Sequence, residues 1–264
     1  MSDGELYTVV TNKAAKGKKG SLIAIINGTK VEGIMSVLEE IPVHKRNLVK
    51  EVTLDMAKNM ESAASKCFPG ARLVTDRFHV VRLVSDALQH VRIKYRWEAI
   101  KAENDAIKQA KENKQPHNPK IFANGDTSKQ LLARSRYLLF KTPSNWSIKQ
   151  KQRAEILFKE YPLLKQAYEL SMHFRSLYCC QDRTIAGIKI EQWLIKVEES
   201  KIDEFNTTAN SIKCNIENIL NFFYHRSTNA NAESFNAKLK GFRALLRGVK
   251  DIDFFLFRVE KLFA

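Results

Sequence analysis

The chain has 264 residues, 44 of them Lys or Arg against 29 Asp or Glu, for a formal charge of +15, and 44% are hydrophobic. That is a folded chain of one or two domains with ample material for a core, and the charge makes nucleic acid the leading partner. No stretch approaches the ~20 apolar residues that span a bilayer, and residues 1–20 hold no apolar run ahead of a cleavage site, so the expectation is a soluble, cytoplasmic protein without a membrane partner.

Residues 5–11 (ELYTVVT) and 21–27 (SLIAIIN) are β-branched-rich runs joined by a Gly- and Lys-rich loop, the pattern of an antiparallel hairpin. Val31, Ile34, Val37, Leu38 and Ile41 then fall on one helical stripe that ends at Pro42. Residues 48–54 (LVKEVTL) read as a strand ending at Asp55, residues 60–67 as a short helix stopped by Phe68-Pro69-Gly70, and residues 71–75 (ARLVT) as a strand ending at Asp76. Strand, helix, strand of this size is a βαβ unit, which predicts parallel neighbours with both aspartates at one sheet edge.

From Phe78 to Glu204 the pattern is helical almost throughout, with apolar spacing of three to four in 80–107, 131–140, 154–161, 163–178 and 188–197. Three more helices are predicted over 205–224, 230–246 and 252–263. The expected organisation is an α/β part over 1–77, a helical insertion over 78–204, and helices over 205–264 that complete the first part. Trp97, Trp146 and Trp193 are expected in the helical core. Cys67, Cys179, Cys180 and Cys214 show neither a disulfide framework nor a C-x-x-C zinc pair, and the adjacent Cys179 and Cys180 read as buried thiols.

The chemistry concentrates at carboxylates. Asp55 sits where a strand gives way to a helix, at the carboxyl edge where open α/β sheets bind ligands. Glu233 lies near the start of a helix on which Asn229, Glu233, Asn236 and Lys240 share one polar face. Two such carboxylates brought together can hold divalent metal, and a two-metal site stabilises both oxygens of a phosphodiester displacement.

At these residues the sequence resembles DDE-type insertion-sequence transposases of the ISL-three group. The likeness is carried by Glu51-Val52-Thr53-Leu54-Asp55-Met56, by Thr75-Asp76-Arg77-Phe78-His79-Val80, by Lys94-Tyr95-Arg96-Trp97, and by the stretch from Ser227 to Lys238 with its Thr-Asn-x-x-x-Glu-x-x-Asn signature. The resemblance implies an RNase-H-like mixed sheet interrupted by a large helical insertion, whose acidic triad binds two Mg2+ (or Mn2+) ions to cut and rejoin the DNA of a mobile element. By position Asp55 corresponds to the second acid and Glu233 to the third, both as metal ligands, and Asp76 and His79 to an Asp-x-x-His element. Asp76 joins the catalytic set, and His79, Asn229 and Asn236 are expected to orient it. The family's first acid precedes the stretch matching Met1–Tyr7, with Asp3 and Glu5 nearby but off the motif, so a truncated gene or fragment is expected. The partners implied are transposon ends and target DNA, and a homo-oligomer at full length.

Other readings stand beside these. Asp55 and Asp76 both suit helix caps, and Glu233 a solvated helix carboxylate. Lys16, Lys18 and Lys19 in the hairpin loop serve phosphate contact or solubility equally, whereas Arg77, Arg226, Lys238, Lys240, Arg243 and Arg247 near the acids point to DNA phosphates. The alternatives for the whole chain are a catalytically inactive DNA-binding remnant and a metal-dependent nuclease without strand transfer.

Overall fold

The computed structural model describes residues 6–15, 18–245 and 251–263. Asp3, Glu5, Lys16, Leu246 and Arg247 lie outside the described residues. The chain divides into two compact units, one formed by the residues up to His79 together with those from Glu217 onward, the other by Val80–Ile216.

The first unit begins with the predicted hairpin. Strands β1 (Tyr7–Thr11) and β2 (Leu22–Asn27) pair antiparallel, with Val10 opposite Ala24 but Thr11 opposite Leu22, so that Ile23 is an extra residue in β2. Such a bulge sets two residues of one strand against one of the other and resets the alternation of faces. Leu22 therefore shares a face with Val9 and Ile25, while Ala24 shares the opposite face with Val10 and Ile26. Both faces are covered, and Ile23 is left 47% exposed.

One face packs on helices α1 (Val31–Glu39) and α3 (Lys58–Cys67) through Ile34, Leu38, Ala63 and Cys67. Between them lie the short helix α2 (Val43–Arg46) and strand β3 (Glu51–Leu54). The strand expected from residue 48 starts later because the N–H groups of Leu48 and Val49 are spent on turn bonds to Lys45 and Arg46 carbonyls. The Arg46 guanidinium reinforces that turn by donating to the carbonyls of Ile41 and Cys67.

Strand β4 (Arg72–Thr75) pairs in parallel with β3, Leu54 opposite Thr75, as a β-helix-β crossover requires. The strands thus form two separate two-stranded sheets among the described residues rather than the one mixed sheet expected. What joins them is apolar packing, since Val10, Ala24 and Ile26 share a cluster with Val52 and Ala71 around α1 and α3.

After β4 comes α4 (Arg77–Glu112), the longest helix at 36 residues. The second unit continues with α5 (Ser128–Arg134), α6 (Ile148–Glu160), α7 (Pro162–Leu177), α8 (Arg183–Ser200) and α9 (Asp203–Cys214). Ser147 caps α6 reciprocally with Gln150, so that helix starts earlier than its apolar spacing suggests. Trp193 is fully buried and donates its indole N–H to the Leu170 carbonyl. Trp97, expected in the core, is 66% exposed because the buried face of α4 ends at Arg92. Cys179 is exposed and Cys180 half-buried, correcting the expectation of two buried thiols.

Asp126 is completely buried and accepts hydrogen bonds from Arg134, Arg153 and the Asn124 amide. Burial pushes its carboxyl up, but the bonds from Arg153 and Arg134 outweigh this and hold it below the usual carboxylate range.

The helix predicted over 205–224 is broken into α9, α10 (Ile216–Leu220) and α11 (Phe222–His225). Asn221, at the second break, donates from its side chain to the Leu73 carbonyl of β4, and Asn218 donates to Glu61 of α3. His225 lies 3.0 Å from Glu51 of β3, and the Arg72 guanidinium stacks 3.9 Å from the Tyr224 ring centroid. Left-handed Arg226 (φ 54°) then ends α11 and turns the chain toward Asn229.

Helices α12 (Ala230–Leu245) and α13 (Ile252–Phe263) cover the second face of the hairpin, with Phe235 and Val259 buried against Leu22. Among the described residues no helix is long and apolar enough to cross a membrane.

Candidate active site

The site lies in the first unit, at the carboxyl ends of β3 and β4. The ladder bond from the Asp76 N–H to the Leu54 carbonyl (2.9 Å) sets Asp55 and Asp76 side by side just beyond the strands. Asp76 is 2% exposed and caps α4, its Oδ1 accepting from the Phe78 N–H at 3.0 Å. Its Oδ2 accepts from the Asn229 N–H at 2.9 Å. Each oxygen therefore has one backbone donor, and a carboxylate with about four lone-pair sites keeps the remainder available.

Asn229 is the junction of the site. Its backbone N–H binds Asp76, its side-chain amide donates to Asp55 Oδ1 at 3.3 Å, and its carbonyl accepts from the Glu233 N–H at 2.9 Å, opening α12. One residue thus fixes both strand-end aspartates and the first turn of the helix that carries Glu233. Asp76 accepts from donors at the start of α4 and just before α12, where helix dipoles favour negative charge.

His79, in the first turn of α4, lies with Nε2 2.8 Å from Asp55 Oδ1 and packs edge-on to Phe78. Asp76, His79 and Glu233 each offer a ligand atom within 4.8 Å of one another. Two carboxylates and an imidazole at that separation suit a divalent cation: opposite ligands on a six-coordinate ion lie about 4.2 Å apart, a closure within reach of the exposed Glu233 side chain. Asp55 stands beside this trio through His79.

The sequence-predicted residues Asp55, Asp76, His79, Asn229 and Glu233 are therefore all brought together. Asn236 is exposed, three residues beyond Glu233 on α12. Lys18, Lys19, Arg77, Arg226, Lys238 and Lys240 are exposed, while Arg243 is half-buried, its guanidinium 5.1 Å from the Phe255 ring centroid. The sequence pattern missed Asn218 and Asn221, which tie α10 and the start of α11 to the βαβ unit. Two amides three residues apart within an apolar helical stretch are the signal that would have marked a polar seam.

Residues 1–259 match a transposase family, DDE_Tnp_ISL3, and the chain belongs to these ISL3-group DDE transposases. It is also similar to the transposase for insertion sequence element IS1001 of Bordetella parapertussis, 24% identical over 237 residues, which is 89% of this chain and 53% of that protein. The chain thus spans about half the length of that curated relative. No solved structure matches it.

Proposed function

We propose that this chain is the catalytic portion of a DNA transposase, cutting phosphodiesters and transferring strands of an insertion sequence with divalent metal. The observation that carries this reading is the meeting of Asp55, Asp76 and His79 with Glu233, more than 150 residues away in sequence, at one strand edge through Asn229. The helical segment between them reads as an insertion into an RNase-H-like frame, consistent with both strand-end acids and the acid-bearing helix lying in one unit.

Bound Mg2+ or Mn2+ would supply Lewis-acid stabilisation of the attacking and leaving oxygens. Asp55, Asp76 and Glu233 provide hard oxygen ligands for it. Asn229 holds Asp55 and Asp76 at a fixed spacing, so little reorganisation is needed when substrate arrives. Lys238 and Lys240, exposed on the helix of Glu233, and Arg77 beside Asp76 are placed to neutralise DNA phosphates.

The test is nicking of supercoiled plasmid by the full chain with Mg2+ or Mn2+. Nicking that disappears in Asp76→Asn and Glu233→Gln supports the reading. DNA binding without metal-dependent nicking favours the binding remnant instead.

A further inference from the structure

We propose that the outer face of α13 is a platform for single-stranded DNA, on which unstacked bases rest against Phe254 and Phe257 while Arg258 and Lys261 meet the phosphates. This rests on the reading above in taking DNA as the substrate, and deepens it by naming the form of DNA that this face holds.

Helix α13 is apolar on two sides. Its inner side is Phe255, Val259 and Phe263, spaced by four, which pack with Phe235 and Phe242 of α12 against the hairpin. The core is therefore supplied without Phe254 and Phe257, which are 45% and 51% exposed on the opposite side. Arg258 and Lys261 stand at offsets four and seven from Phe254, so all four side chains share that outer face. The Arg258 guanidinium lies 5.8 Å from the Phe254 ring centroid and the Lys261 ammonium 5.5 Å from that of Phe257. The exposed acids Asp253 and Glu260, seven residues apart, fall together on one edge of it.

The pairing of each ring with a cation identifies the occupant. The core of a protein–protein interface is depleted of charge, whereas here both exposed rings are flanked by cations in a chain of formal charge +15. An anionic polymer carrying flat apolar groups complements such a face. In an intact duplex the base faces are covered by their stacking neighbours, but in a single strand they are open to aromatic rings. A DNA end frayed at a cut would supply such a strand, and α13 belongs to the same unit as the acids.

The experiment is ultraviolet crosslinking of the full chain to an oligothymidylate of about 12 nucleotides, mapped by mass spectrometry, with anisotropy measured on single-stranded and duplex probes. The expected crosslink falls on Phe254 or Phe257 in the wild-type protein. Phe254→Leu and Phe257→Leu, which keep the apolar bulk but lose the ring, should each weaken single-strand binding about tenfold and leave duplex affinity unchanged. Lys261→Ala should lower the magnitude of the single-strand salt slope by about 0.7. Crosslinks confined to other segments, or single-strand affinity unchanged when both rings are replaced, overturn the platform. A wild-type dimer that the double variant splits, with single-strand affinity unchanged, gives the face to a second copy and overturns it too. Metal-dependent nicking that persists beside either result leaves the transposase reading standing, whereas failure to bind single strand and duplex alike overturns both. The wild-type crosslink decides the matter even if the variants fail to fold.

Discussion

The backbone N–H of Asn229 lies 2.9 Å from Oδ2 of Asp76, a residue 153 positions earlier in the chain. Because this bond uses the main chain, substitution of the Asn229 side chain leaves it intact and removes only the amide held against Asp55. Asn229→Ala should therefore lower metal-dependent cleavage about tenfold while changing stability by no more than about 0.5 kcal/mol. Measuring the nicking rate beside thermal unfolding separates the two effects, and a large loss of stability with unchanged cleavage per folded molecule would contradict this assignment.

DNA affinity should fall steeply with salt, the log–log slope being about −0.9 for each phosphate neutralised. Lys238→Ala and Lys240→Ala should each reduce the magnitude of that slope by about 1 without altering sequence preference. Fluorescence anisotropy across a salt series checks this, and unchanged slopes in both variants would remove α12 from the DNA interface.

Asp126→Asn should destabilise the protein by about 3 kcal/mol, because the Arg153 guanidinium loses its buried partner. Its folded pKa is depressed, so the stabilisation is present above the unfolded value of about 3.9 and disappears as pH falls through the lower folded value. Denaturant unfolding should show the gap between wild type and variant closing as the pH drops below about 4. A gap constant from pH 7 to 3 would mean that the carboxylate charge is not what stabilises this corner.

Tyr168 donates its hydroxyl to the Lys141 carbonyl at 2.8 Å, and burial pushes its ionisation up to about 12. A raised folded pKa means that the associated stability is whole below the unfolded value of about 10 and is lost as pH rises from there through about 12. Wild-type stability should accordingly drop more steeply than that of Tyr168→Phe across this interval. The difference in ultraviolet absorbance between the two proteins should place the Tyr168 phenolate at the upper end, and ionisation near 10 would refute its burial.

The βαβ unit was legible because its signals are local: short apolar runs, a helix ended by Pro69 and Gly70, and an aspartate closing each strand. Glu233 was legible from a polar face on a helix and from motif likeness. Other features depend on partners far along the chain, which periodicity does not encode. The helix predicted over 205–224 breaks where Asn221 finds the Leu73 carbonyl, 148 residues away. The apolar character of Trp97 likewise predicts burial, but it lies beyond Arg92, the last buried residue of α4, and is 66% exposed. The second role of Asn229, as link to the strand-end acids, appears only when both strands and α12 meet.

The extra residue in β2 has a consequence for how this hairpin tolerates change in length. Ile23 stands outside both apolar clusters, and its neighbours Leu22 and Ala24 already face opposite ways. Removing it would leave each neighbour facing the layer it faces now and would make the ladder continuous, whereas removing any residue from Val9–Thr11 would drag core side chains to the wrong layer. The hairpin therefore has one position at which a codon can be gained or lost in evolution while the helices on either side keep their footing.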